Sequence, residues 1–132
     1  MKKLSLLWLT ALLGACQTTT PPTSASLDGE VFYHQRMALP PDATLSVKLQ
    51  DVSRADAPAV VLAEQRGPIK NQVPLPFQLS YDPAQIKHGH RYSVSARIEL
   101  DGQLLFISTE NNAVQLDGSD PKPLRIRLNP AR

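Results

Sequence analysis

Apolar and polar side chains alternate with a period of two through most of this chain, and turn residues interrupt the alternation at short intervals. Leu45, Val47 and Leu49 alternate with Ser46, Lys48 and Gln50, and Tyr92, Val94, Ala96, Ile98 and Leu100 alternate with Ser93, Ser95, Arg97 and Glu99. A strand sends successive side chains to opposite faces, so this is the pattern of strands with one face buried. The segments 31–37, 59–65, 73–81, 103–109 and 124–128 read the same way, which makes about seven strands. Asp101-Gly102 separates two of them by two residues, the strongest short hairpin signal, because a type I′ turn needs positive φ at both positions. Pro40-Pro41-Asp42, Arg66-Gly67-Pro68 and the run Asp117-Gly118-Ser119-Asp120-Pro121 mark further loops. Past residue 26 no stretch combines helical period with helical length; at 82–86 a single turn is expected, with Asp82 as N-cap and Pro83 at the first helical position. With 132 residues, twelve Pro and six Gly, the chain has room for one folded domain. The expected fold is all-β: a single small β-sandwich of about seven antiparallel strands.

Two prolines sharpen this. Backbone N–H groups along a strand point to alternate neighbours, so Pro74 and Pro76 remove donors on one and the same side of segment 73–81. That strand is expected at a sheet edge, or pairing only after Pro76, with Leu75, Phe77, Leu79 and Tyr81 facing inward. An edge strand can simply be guarded by its prolines, or it can accept a partner. Pro74, Pro76, Gln78 and Ser80, on the outward side, are the candidate partner-binding residues.

Residues 1–16 carry a different pattern: a basic start at Lys2 and Lys3, an apolar run from Leu4 to Leu13, and small residues Gly14 and Ala15 before Cys16. This is the layout of an export signal. The run is about half the roughly twenty residues that a helix needs to span a bilayer, so it is too short for a stable membrane span. Leu13-Gly14-Ala15-Cys16 resembles the bacterial lipobox, which implies cleavage after Ala15, acylation of Cys16, and, because Gln17 and not Asp follows, sorting to the outer membrane. Cys16 is the only cysteine, so no intrachain disulfide is available. Residues 17–26 are uncharged and rich in Thr, Pro, Ser and Ala, the composition of a tether with a reach of up to about 3.5 Å per residue. The expected organisation is a signal peptide at 1–15, a lipidated cysteine and tether at 16–26, and a periplasmic domain at 27–132.

Removal of the leader takes two of the fourteen basic residues and leaves twelve against twelve acidic ones. A neutral chain lacks the basic footprint of an electrostatically driven nucleic-acid binder.

Gly29 to Ala43 (G-E-V-F-Y-H-Q-R-M-A-L-P-P-D-A), Leu49 to Ala59 (L-Q-D-V-S-R-A-D-A-P-A), Val73 to Asp82 (V-P-L-P-F-Q-L-S-Y-D) and Tyr92 to Ile98 (Y-S-V-S-A-R-I) follow one another in this order. On these segments the chain resembles the YbaY-like envelope lipoproteins, grouped with the YscW-type lipoprotein chaperones, or pilotins, of type III secretion systems. The resemblance implies one β-sandwich on a lipid anchor, with no catalytic signature. For the pilotin branch it also implies help in bringing a secretin ring subunit to the outer membrane.

The remaining chemistry is sparse. His88 and His90, two apart in a turn with Asp82 nearby, are the weak candidates for a metal site, but two imidazoles do not close a tetrahedral shell, and His34 belongs to another strand. Asp117, Ser119 and Asp120 lack the spacing of a calcium loop and read as turn chemistry. Asp51 or Ser53, in the polar loop that Pro58 ends, reads as a cap for local N–H groups. There is no G-x-S-x-G elbow and no cysteine besides Cys16. No catalytic residue and no cofactor are expected. The reading is a non-catalytic envelope interaction or chaperone module whose partners are the outer membrane, through Cys16, and another envelope protein, a secretin if pilotin-like. The alternative is a small-ligand or metal-binding lipoprotein with a general envelope role.

Overall fold

The computed structural model describes residues 24–131 and confines regular structure almost entirely to strands. Ala15, Cys16 and Gln17, expected to carry leader cleavage, lipidation and sorting, lie outside the described residues. Among those described, no helix is long and apolar enough to cross a membrane.

Among the described residues nine strands form two sheets: β1 (Ala25–Phe32), β2 (Thr44–Asp51), β3 (Val60–Pro68), β4 (Leu75–Tyr81), β5 (Tyr92–Leu100), β6 (Gln103–Ile107), β7 (Asn112–Val114), β8 (Leu124–Arg127) and β9 (Asn129–Pro130). The small sheet runs β4-β1-β8; the large one runs β3-β2-β5-β6-β9, with β7 also paired to β5. The expected β-sandwich is what the chain forms. The strand expected at 73–81 is Leu75–Tyr81, but the one expected at 31–37 is misplaced: the strand is Ala25–Phe32, and residues 33–37 leave the sheet where Tyr33 stacks on Phe106. β7 and β9, of three and two residues, add to the expected seven; they are too short to show a period. One pair departs from an all-antiparallel arrangement: β1 runs parallel to β8, from Gly29↔Leu124 to Phe32↔Arg127.

β1 begins at Ala25, opposite Tyr81, so the last two residues expected in the tether are part of the sheet. The alternation there is hidden because its inward positions are Leu27, Gly29 and Val31, and the middle one has no side chain. Phe77 of β4 occupies that space. A Cβ on Gly29 would lie 2.4 Å from the Leu124 carbonyl oxygen and 2.4 Å from the Phe77 ring.

The core sits between the sheets. Val31, Leu79, Ile126 and Leu128 from the small-sheet side meet Val47, Leu49, Val94 and Ile98 from the large sheet, all essentially without exposure. Each such side chain contributes roughly 1.5–3 kcal/mol when withdrawn from water. Tyr33 closes one end by stacking on Phe106 at 4.3 Å, its hydroxyl donating to the Met37 carbonyl at 2.6 Å. The β5–β6 turn has φ of 49° at Asp101 and 79° at Gly102, as a type I′ hairpin requires. Asp82 caps the 3₁₀ turn Pro83–Gln85 by accepting the Ala84 N–H at 2.9 Å.

Candidate functional site

β3 ends the large sheet and β4 ends the small one, so the two edge strands face each other along one open side of the sandwich. No ladder joins them. The Gln78 N–H donates to Oε1 of Gln65 at 2.7 Å, tying edge to edge. This bond fixes the sense of β4: the Gln78 backbone faces away from β1, and by the two-residue period so does the nitrogen of Pro76. Pro76 therefore blunts the outer edge, as an edge strand requires. Pro74 precedes the strand instead of belonging to it. Leu75, Phe77 and Leu79 are buried, Tyr81 is half-buried, and Pro74, Pro76, Gln78 and Ser80 are exposed.

Cavities lie to either side of the Gln65–Gln78 bond. The smaller, about 180 Å³, is lined by Gln65, Gly67 and Ile69 on one side and Leu75 and Pro76 on the other. The larger, about 510 Å³, lies between the start of β3 and the segment that follows β4. Its walls include Pro58, Val60, Leu62 and Ala84, with Arg54 and Lys87 beside them. Sequence reasoning missed this cleft, because it depends on a bulge in β3. Leu49 pairs with Ala63 and Asp51 with Val60, so one extra residue lies on β3 between them. The bulge returns Val60 to the inner face, where Asp51 and Leu49 also point. A third opening, about 550 Å³, lies at the Met37 end and is lined by Met37, Leu104, Leu105, Phe106 and Pro130 with no charged side chain.

Polar residues that the sequence leaves apart are brought together beside the larger cleft. Asp51 Oδ1 accepts from the Ser53 N–H at 2.9 Å and from the Ser53 hydroxyl at 2.5 Å. Asp51 Oδ2 lies 2.6 Å from His90 Nδ1. The Arg91 N–H donates to Ser53 Oγ at 2.8 Å, and the Val52 N–H to the Arg91 carbonyl at 2.8 Å. Together these clamp the loop after β2 to the approach to β5. Ser, Asp and His are adjacent, but in the wrong order for a nucleophile: the hydroxyl is spent on the carboxylate and makes no bond to the imidazole. His90 turns its Nδ1 to Asp51, His88 is exposed in the turn before β5, and His34 packs edge-on against Phe32 at 5.5 Å. Among the described residues no three His, Cys, Asp or Glu side chains come together as a metal site.

The Ser53 hydroxyl, then the contact with His90, holds the Asp51 carboxyl down to about 2, below its ordinary value of 3.8. A depressed carboxylate stabilises the fold fully above its unfolded pKa and loses that contribution as pH falls towards the folded one. The Asp51 share of stability is thus expected intact above about pH 4 and lost between about pH 4 and 2. Asp51→Asn is expected to cost about 1 kcal/mol at neutral pH, the scale of a solvent-screened charged pair, and to flatten the acid limb. Urea titrations of both proteins from neutral to acid pH check this; parallel pH profiles contradict it. In the loop after β7, Asp120 accepts from the Gln115 and Leu116 N–H groups at 2.8 Å each, and Asp117 from the Ser119 N–H at 2.9 Å, as turn chemistry predicts.

Comparison with known proteins agrees with this architecture. The family model described as "Type III secretion system lipoprotein chaperone (YscW)" matches residues 22–128. Over 84 residues, 63% of the chain, the sequence is 42% identical to the "Uncharacterized lipoprotein YbaY" of Escherichia coli K12, and the match takes in 44% of that protein, less than half its length. An alternative pilotin from the type II secretion system of Vibrio cholerae, whose structure is solved, is 46% identical and superposes with a TM-score of 0.74 over 83% of this chain and 98% of its own. The described edges and cavities thus sit on a pilotin-type sandwich, and the chain belongs to the YscW family of type III secretion system lipoprotein chaperones.

Proposed function

We propose that this protein is an outer-membrane-anchored lipoprotein, facing the periplasm, that holds a client envelope protein and aids its placement, the client being a secretin subunit. The observation that carries this reading is the 46% identity to a type II secretion pilotin across nearly all of that pilotin's length. Cys16 would carry the acyl chains, with cleavage after Ala15 and with Gln17 as the outer-membrane sorting cue. The protein's work in this account is binding, for which a row of exposed side chains on a rigid strand is suited.

The client-binding surface is assigned to the outward side of β4: Pro74, Pro76, Gln78 and Ser80. These side chains are exposed and anchored from behind by Leu75, Phe77 and Leu79, so they can change without loss of the core. Lys at positions 78 and 80 would put charge on a dry contact and leave Pro76 and the backbone of the edge as they are. Gln78→Lys with Ser80→Lys is expected to weaken capture of a purified secretin subunit about tenfold or more, while the far-ultraviolet circular dichroism spectrum stays that of the parent. Unchanged capture by this folded variant would remove β4 as the contact surface.

A further inference from the structure

Val60 stands on the inner face of the large sheet, and yet it is 60% exposed. Its register partner Asp51 is two residues from Leu49, which is completely buried. The reason is a difference in length: beyond Gln65 and Gln78 the small sheet ends at Tyr81, and only the 3₁₀ turn Pro83–Gln85 lies over the start of β3. The inner face is therefore left uncovered at Val60 and Leu62, and Pro58 and Ala84 complete an apolar wall.

The surroundings of this wall restrict what can cover it. Arg54 and Lys87 line the cleft and are exposed. Asp51 is the one acid in the lining, its oxygens held by Ser53 and His90, and neither Arg54 nor Lys87 makes an ion pair among the described residues. The cleft thus offers apolar surface beside two cations and a single lining carboxylate, an excess of positive charge. It also offers backbone, since β3 has a ladder on its β2 side only among the described residues. A lipid could use the first two features; an extended peptide uses all three. The Met37 opening has no charged side chain and gives a partner no such orientation.

We propose that the cleft at the start of β3 seats an extended segment of the client that carries an apolar side chain next to a carboxylate. The segment would add to the β3 edge, set its apolar residue on Val60 and Leu62, and turn its carboxylate to Lys87 and Arg54. This inference rests on the client-binding reading but names a surface of its own, separated from the outward side of β4 by the Gln65–Gln78 bond.

The test uses the acylated full chain in detergent micelles and two fluorescein-labelled synthetic peptides of alternating Val and Thr, one ending in two Glu and the other in two Lys. Fluorescence anisotropy is expected to show saturable binding of the acidic peptide and about tenfold weaker binding of the basic one. Lys87→Glu and Arg54→Glu are each expected to weaken the acidic peptide about fivefold and strengthen the basic one. Val60→Thr, which keeps shape and removes apolar contact at an exposed position, should weaken both. No saturable binding of the acidic peptide, equal binding of the two, or indifference to these substitutions overturns the inference. Capture of a purified secretin subunit by the same preparation separates the cases: capture that persists while the peptides fail leaves the client-binding reading standing, and loss of both removes the two together.

Discussion

Gly29→Ala is expected to lower the melting temperature of this protein by about 15 °C, the equivalent of about 3 kcal/mol in a domain of this size. Gly29 lies mid-strand in β1, the central strand of the small sheet, with Phe77 opposite on one side and Leu124 on the other. The added methyl carbon would stand 2.4 Å from a backbone oxygen and 2.4 Å from a ring carbon. The ring can turn aside at the expense of its packing, but the Leu124 oxygen moves only with its strand. Overpacking of this kind usually costs about 1–3 kcal/mol, and the backbone contact puts Gly29→Ala at the upper end. Phe77→Leu in the same chain is expected to recover part of the loss, because it removes the ring from the clash and leaves the oxygen. Thermal unfolding followed by circular dichroism checks both variants. A Gly29→Ala protein melting with the parent would mean that β1 and β4 do not pack as described.

Cys16→Ser is expected to abolish partition into the outer membrane. In the proposed account, acyl chains on this residue are the anchor, and each buried CH₂ contributes about 0.8 kcal/mol to membrane binding, so several chains hold durably where one does not. A hydroxyl in place of the thiol leaves nothing to acylate and blocks leader removal at Ala15. Trp8, the single tryptophan, lies in the leader, which gives a second readout. The processed parent should show tyrosine emission alone, and the Cys16→Ser chain should show tryptophan emission. Outer-membrane fractionation unchanged by Cys16→Ser would contradict the lipid anchor.

What could be read from residue order was local. The alternations of β2 and β5, the Asp101-Gly102 hairpin and the Asp82–Pro83 cap all follow from chemistry within a few residues, and each has the expected form. The edge position of β4 followed from Pro76, since a missing N–H is a statement about a neighbour that is not there. What stayed hidden depends on contacts between distant segments. Gly29 carries no apolar signal because Phe77, far along the chain, supplies the side chain for that place. The bulge at Leu62 reverses the face of Val60, so the cleft beside it is invisible to a period-two reading. The pairing of Asp51 with His90 bridges 39 positions and exists only once β2 and β5 lie side by side. The parallel pairing of β1 with β8 is likewise a property of how the chain returns, not of either strand.

The central claim, that the protein holds a secretin subunit at the outer membrane, is most directly tested in the native envelope. Crosslinking and affinity capture of the acylated full chain, with Cys16→Ser as control, should enrich a secretin subunit by mass spectrometry, and the secretin should leave the outer-membrane fraction in the control. Absence of any enriched secretin, or a secretin whose location ignores Cys16→Ser, would contradict the account.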